Sequence, residues 1–424
     1  MTADLAASRR VLVATVRANH PTLTEPVAQA LETVPRHLFV PHVPLDQAYA
    51  DDAIVTKRDA DGLPISSSSQ PTIMAVMLDQ LGPAPGHRVL EIGAGTGYNA
   101  ALMAHVVGPT GEVVSIDIDA DTADQARGNL DAAGFPQVRV VCADGARGFP
   151  ERAPYDRLIA TVGVWDLAPA WVDQLVPDGR IVVPLDLRGV QRSVGLVRAG
   201  DDRWQSRSVV PCGFMRLRGA LAGPAQMRVL DRNSELSLTV PEDCAIDASV
   251  LTALAGSPGA EHATGVVAAP SELFDGLSLW LAVREPRWCL LSEVDTGCTL
   301  PLAPVHIQRF RLTTGVLDGP SLAVLAEPAV GAELTVLGHG PDADRVAHDL
   351  AAHVRGWADV GRPTSRELRI EVHPRDTPDS ALRGRYVIDK QYTRLALSWP
   401  GAPGAPEAPE APEAPEAPRA PEAT

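Results

Sequence analysis

Lysine is almost missing from this chain: Lys57 and Lys390 are the only two in 424 residues, and arginine supplies nearly all the positive charge. We read that imbalance as genomic base composition. Positive charge is also short overall, for the formal net charge is −16. Such a surface repels phosphate backbones and anionic lipid, so nucleic acid and membrane are poor partners, whereas a basic peptide would be attracted. Cysteine is sparse, with Cys142, Cys212, Cys244, Cys289 and Cys298 making an odd number and no CxxC pair. That predicts no disulfide framework and no redox or metal motif, hence a reducing, cytoplasmic setting with idle thiols. No apolar run is long enough to span a membrane. The apolar stretch near the start is cut by Arg17, too early for a secretory h-region, and reads as an amphipathic helix from about Ala6 to Ala18. His20, His37, His42, His87 and His105 show no metal-ligand spacing, so no metal is expected.

What is present is ordinary for a globular protein, with 45% hydrophobic and 21% charged residues and room for two domains. From about Ala84 to Val197, short apolar runs alternate with helical patterns. RVLEIGA, EVVSIDID, VRVVCADG, YDRLIATVG and RIVVPL read as strands; YNAALMAHVVG, DTADQARGNLDAAG and AWVDQLVPDG read as helices. Strand-helix alternation with short connections predicts an α/β fold with a doubly wound, mostly parallel sheet. Beyond about Ala225, LSLWLAVRE, SLAVLA, ELTVLG and ELRIEVHP read as strands, and the segment around Arg345 to Trp357 as a helix that packs into a core. We therefore expect a first domain over residues 1–222 and a second, smaller α/β domain over 223–400. The Ala-Pro-Glu repeat of residues 401–424 predicts a solvated, polyproline-like disordered tail.

Chemistry concentrates in VLEIGAGTGYNA. Gly93, Ala94, Gly95 and Gly97 make a turn between strand and helix that lets backbone approach a ligand, with Glu91 just before it. Such a loop is a weak signal alone, because many nucleotide sites share it. Its spacing is G-x-G-x-G, not that of dinucleotide sites. The next strand ends in Asp117, placed to accept ribose hydroxyls, and the third in Asp144 and Gly145, where a carboxylate can meet the adenine amine. Three such features in strand order point to S-adenosylmethionine; the bland alternative is a glycine turn with two solvated loop acids. PISSSSQPTIMA, residues 64–75, carries four consecutive serines. By composition it is a linker or part of a site.

VPRHLFVP (34–41), AYADDAI (48–54), ISSSSQPTIMAVMLDQL (65–81), the glycine loop, ADGARGFPERAPYDRLIAT (143–161) and QLVPDGRIVVPL (174–185) run in an order that resembles the protein-L-isoaspartate O-methyltransferase family. The resemblance covers about residues 5–210. It implies a Rossmann-like class I methyltransferase domain and S-adenosyl-L-methionine as cofactor. The substrate would be the carboxylate of an aspartyl or isoaspartyl residue in a peptide or protein. Through Pro71, Ser69 aligns with the family's active-site serine, with Ser68, Gln70 and Thr72 facing the substrate. A carboxylate ionises near pH ~4, so it needs desolvation and aim, not a strong base; Ser69 is expected to position it. Trp165 and Trp171 fall where the family borders its substrate; they line the cleft or pack in the core. The active-site segment has Ser68 and Gln70 where repair enzymes usually carry Ile and Ala, and about two hundred residues follow. That combination, with YVIDKQYTRLALSWP near the end, resembles an actinobacterial branch that esterifies aspartate in ribosomally made peptides, leading to aspartimide. General isoaspartate repair is the rival expectation, and a non-catalytic cofactor-binding scaffold a further one.

Overall fold

The computed structural model describes residues 2–400 apart from 61, 63, 201, 225–226, 232–235, 243, 245, 247–248, 295–304, 308–309 and 327–330. Cys298 and the Ala-Pro-Glu tail lie outside the described residues. Two helices open the chain, α1 (Thr2–Asn19) and α2 (Glu25–Thr33). A hairpin follows, β1 (Ile54–Arg58) with β2 (Pro64–Ser68), which pairs antiparallel with itself and joins neither large sheet. Helix α3 (Pro71–Leu81) starts on a proline, where the missing amide is harmless, and ends at Gly82 with φ 58°.

Then comes the alternation expected from the sequence: β3 (Arg88–Ile92), α4 (Tyr98–Val107), β4 (Glu112–Asp117), α5 (Ala120–Ala132), β5 (Arg139–Cys142), β6 (Tyr155–Ala160) and β7 (Leu175–Leu187). These five strands are mutually parallel in the order β5-β4-β3-β6-β7. Both sheet faces are buried, which is why the strands read as apolar runs instead of alternating. Leu90, Ile92, Val114 and Leu158 enter one core, and their neighbours Val89, Val113 and Ile159 enter another. The helix expected over 170–179 is only Pro169–Asp173; β7 begins at Leu175, paired with Tyr155, because Pro177 and Gly179 cannot extend a helix. β8 (Val190–Arg198) and β9 (Trp204–Pro211) continue the sheet antiparallel.

The second lobe is an antiparallel sheet. It is built from β10 (Met227–Asp231), β11 (Leu236–Thr239), β12 (Ala260–Ala263), β13 (Trp288–Val294), β14 (Val305–Ile307), β15 (Phe310–Asp318), β16 (Ser321–Leu325) and β17 (Thr335–His339). Helix α6 (Ala343–Asp359) buries Val346, Leu350, Val354 and Trp357, the core role expected of it. LSLWLAVRE, expected as a strand, is helical across Leu273–Leu277 and Ser278–Arg284. Residues 278–283 are all buried, and an apolar run buried all round carries no period to separate helix from strand.

The chain then returns. β18 (Arg369–Pro374), β19 (Tyr386–Asp389) and β20 (Thr393–Ser398) extend the first sheet, with Val372 opposite Trp204 of β9, to give the order β19-β20-β18-β9-β8-β7-β6-β3-β4-β5. A contiguous second domain over 223–400 is therefore corrected: residues 369–398 complete the first lobe, and the second lobe is inserted between β9 and β18. One core unites residues of both lobes, among them Leu196, Trp204, Trp280, Trp288, Leu350 and Trp399. Across the junction, fully buried Arg192 of β8 donates to Ser365 Oγ at 2.6 Å and to the carbonyls of Phe274 and Asp275 at 2.8 and 3.1 Å.

Candidate active site

The C-terminal ends of the parallel strands open on a cleft of about 1910 Å³, the usual place for a ligand in such a sheet. Gly93, Ala94, Gly95, Asp117 and Gly145 line it from the sheet side. Ser68, Ser69, Gln70 and Thr72 line it from the segment between β2 and α3. Residues that the sequence separates widely, including Ser66 to Ser69, thus line one cleft.

The glycine loop is shaped by protein contacts as much as by any ligand. Gly93 has φ 100°, and a Cβ there would come within 2.9 Å of Val162 Cγ1. Gly95 has φ 53°, and its Cβ would press on the Ser67 carbonyl at 3.2 Å, so the loop and the serine hairpin fit against each other. The Gly95 amide donates to Asp117 Oδ2 at 3.1 Å, and the Asp119 amide to Oδ1 at 3.0 Å. Burial raises the Asp117 pKa, and these two amides oppose that rise. Asp117 is so fixed at the cleft wall, with lone pairs left for a diol.

Three expected cofactor residues sit elsewhere. Glu91 is fully buried behind the loop, its oxygens taken by Asn99 Nδ2 at 2.7 Å and Ser115 Oγ at 2.5 Å. Burial pushes its carboxyl up to about 7, against the pull of those two donors. It supports the loop from inside and does not line the cleft. Gly97 caps α4 with φ 85° and packs on Leu130. Asp144 accepts the amides of Ala146 at 3.0 Å and Ala220 at 2.9 Å. It thereby ties down the strap that follows β9. Gln191 grips the same strap through both amide atoms, to Phe214 O at 3.0 Å and Phe214 N at 2.7 Å. Neither tryptophan lines the cleft: Trp171 is buried and donates to the Gly145 carbonyl at 2.8 Å, while Trp165 lies beneath the Lys390 ammonium, 5.1 Å from the ring centre.

Two residues that hold the serine segment were not singled out from sequence. Arg36, completely buried, donates to four carbonyls: Ala48 at 3.0 Å, Ala50 at 2.8 Å, Asp52 at 2.9 Å and Ser69 at 3.1 Å. Asp51 caps α3 from a distance. It accepts the Thr72 amide at 2.8 Å, the Thr72 hydroxyl at 2.7 Å and the Gln70 side chain at 3.2 Å. Gln70 and Thr72 are thus engaged in fixing the loop as well as lining the cleft. A helix cap is normally sought immediately before its helix; here it comes from 21 residues upstream, where no local pattern marks it. Arg36 lies in the VPRHLFVP motif, but nothing in that motif says its guanidinium will be dry.

The residues present suit an S-adenosyl group. Ser68 Oγ, Tyr98 OH and Asn99 Oδ1 are buried atoms without hydrogen-bond partners, and all three residues line the cleft beside the glycine loop. Orphaned polar atoms of this kind are costly unless a ligand or water meets them, and together they offer donors and acceptors to an amino-acid moiety while Asp117 offers acceptors to a ribose.

The family model for protein-L-isoaspartate(D-aspartate) O-methyltransferase (PCMT) matches residues 7–221. The chain belongs to this family. It is 38% identical over 194 residues to the protein-L-isoaspartate O-methyltransferase of Methanopyrus kandleri, covering 46% of this chain and 83% of the relative. It is 36% identical over 220 residues to that of Thermotoga maritima, covering 52% and 68%. A solved protein-L-isoaspartate O-methyltransferase aligns over 92% of this chain and 99% of its own length, at 23% identity and a TM-score of 0.50. The methyltransferase fold is therefore shared, and the alignment extends through the second lobe. The chain is an S-adenosylmethionine-dependent methyltransferase of isoaspartyl carboxylates in proteins or peptides.

Proposed function

We propose that this family member methylates an aspartyl or isoaspartyl side chain in a dedicated peptide, a ribosomally made precursor whose ester closes to an aspartimide. One observation carries the proposal: the cleft beside Ser69 and Asp117 continues onto the second lobe, where Leu290, Ser292 and Leu312 line it. Small-molecule sites run roughly 300–1,000 Å³. A cleft of about 1910 Å³ has room for cofactor, the reacting residue and several flanking residues of a chain. The second lobe then serves recognition, binding remote parts of the peptide so that the reacting carboxylate is correctly aimed.

Bound S-adenosylmethionine supplies an electrophilic methyl group. The chain's residues do the rest. Asp117 and the orphaned hydroxyls hold the cofactor ends. Ser69, its carbonyl pinned by Arg36, offers its hydroxyl to one carboxylate oxygen and leaves the other free to attack. Removing water from that oxygen raises its nucleophilicity without a base. Later attack by the neighbouring backbone nitrogen expels methanol and forms the ring.

Repair of damaged proteins is the second reading, favoured by the two-lobed architecture of the solved relative. Steady-state kinetics on matched aspartyl and isoaspartyl peptides, with products followed by mass spectrometry, separate the two. The proposal expects a candidate precursor's aspartate to gain a methyl and then lose methanol, with kcat/KM well above that for generic isoaspartyl peptides. Turnover confined to isoaspartyl peptides of any sequence refutes it in favour of repair.

A further inference from the structure

The hairpin β1–β2 carries the serines that wall the cleft, yet it has little to hold it in place. Its strands pair only with each other, with register shifts at Val55, Lys57 and Arg58. Among its described residues only Ser68 is buried. Ile54 at its base packs against the first-lobe core, but a lone two-stranded hairpin with so little buried is at best marginal in water. The base is secured through Arg36, which reaches Asp52 and Ser69 on either side of it. Farther out, the Lys57 side chain ties the hairpin to the sheet lobe. Lys57 Nζ lies 2.6 Å from Oδ1 of Asp119, the N-cap of α5, and 3.1 Å from Oδ2 of Asp121 in its first turn.

Asp119 is a consequential anchor. Its carboxylate caps α5 through the Thr122 amide and hydroxyl, both at 3.0 Å, and its own amide holds Asp117. Arg218, on the strap after β9, approaches Asp119 Oδ2 at 4.0 Å. Lys57 holds the Asp119 carboxyl down at about 2, so the pair stays charged at any working pH. The hairpin and the strap, two separate walls of the cleft, thus meet at the residue next but one to the ribose acid.

We propose that Lys57 is a positioning residue. Its bridge to Asp119 and Asp121 clamps the β1–β2 hairpin against the rim of the cofactor site, keeping S-adenosyl ligands in place and Ser68 and Ser69 in register with the glycine loop. The proposal rests on the cofactor lying at Asp117, and its test keeps the two apart. In ligand-free protein, hydrogen exchange of the amides of residues 54–68 is compared for wild type, Lys57→Met and Lys57→Arg. A charge-assisted, partly exposed bridge is worth about tenfold in local opening. Lys57→Met is expected to exchange roughly that much faster, with Lys57→Arg near wild type, since arginine can span both carboxylates. Stopped-flow measurement of S-adenosylhomocysteine release should show Lys57→Met faster by about tenfold, with KM for S-adenosylmethionine raised more than kcat is lowered. High salt should speed release from wild type and leave Lys57→Met unchanged. Unaltered exchange in Lys57→Met shows that there is no clamp, and faster exchange with unaltered release shows a clamp that serves only structure; either overturns the proposal. Asp117→Ala with undiminished S-adenosylhomocysteine affinity defeats the cofactor placement itself, whatever Lys57 does.

Discussion

Asp51→Asn removes one negative oxygen and changes little in shape, which makes it a clean probe of the loop that holds Ser69. The carboxylate accepts four hydrogen bonds, from the Thr72 amide, the Thr72 hydroxyl and the side-chain amides of Asn19 and Gln70, at 2.8, 2.7, 3.1 and 3.2 Å. An asparagine oxygen can keep the first, but its NH2 group then faces the side-chain amides of Gln70 and Asn19, themselves donors. A hydrogen bond to a charged group contributes about 1.5–3 kcal/mol and a neutral one about 0.5–1.5. An anion at a helix N-terminus adds about 0.3–1 kcal/mol. Weakening one bond and losing those from Gln70 and from the water-exposed Asn19, with the charge gone, gives a cost of roughly 2–4 kcal/mol. With a urea slope of about 3 kcal/mol per molar, the unfolding midpoint falls by roughly 1 M. Catalysis should suffer more than binding, because Asp117 and the glycine loop do not depend on Asp51. A displacement of about 1 Å at the reacting groups costs up to ~100-fold, so we expect kcat reduced by about 10- to 100-fold, with cofactor affinity within about threefold by calorimetry. Asp51→Glu should recover part of both losses. A variant Asp51→Asn with unchanged urea midpoint and unchanged kcat refutes the remote-cap account of the loop.

Glu91→Gln should flatten the pH dependence of stability. In the wild type the carboxyl is near 4.5 when unfolded and about 7 when folded, so its contribution is fully present below pH 4.5 and is lost as pH rises through 7, roughly 3 kcal/mol in all; a variant whose stability relative to wild type fails to rise between pH 5 and 7.5 in urea titrations contradicts this. Ser69→Ala should lower kcat with cofactor affinity nearly intact, whereas Ser66→Ala, whose hydroxyl receives Thr56 Oγ1 at 3.2 Å, should do little; equal kinetic effects of the two would remove Ser69 from its role. A fragment of residues 1–222 should be insoluble or bind hydrophobic dyes strongly, because β9 loses β18 and the shared core loses Trp280, Trp288 and Trp399; a folded, monomeric fragment would overturn the single-core description.

The sequence by itself determined the five parallel strands, the glycine turn and the family. These are local signals: a strand buried on both faces must be apolar throughout, and a tight turn against Val162 must be glycine. Its ordered motifs also brought Ser69 forward as a candidate, and the fold sets that residue on the cleft. Tertiary structure decided everything that rests on distant partners. Glu91 looked like a ligand to the cofactor and is a buried support, since only packing shows which way a strand residue faces. LSLWLAVRE read as a strand and is a helix, because total burial erases periodicity. The domain boundary moved because β18 finds β9 across an insertion, and pairing between strands more than 150 residues apart, as Val372 with Trp204, leaves no mark on either stretch of sequence. Arg36 and Asp51 are legible only once folded, for a guanidinium or carboxylate becomes an organiser when the carbonyls and amides it meets have no water to turn to.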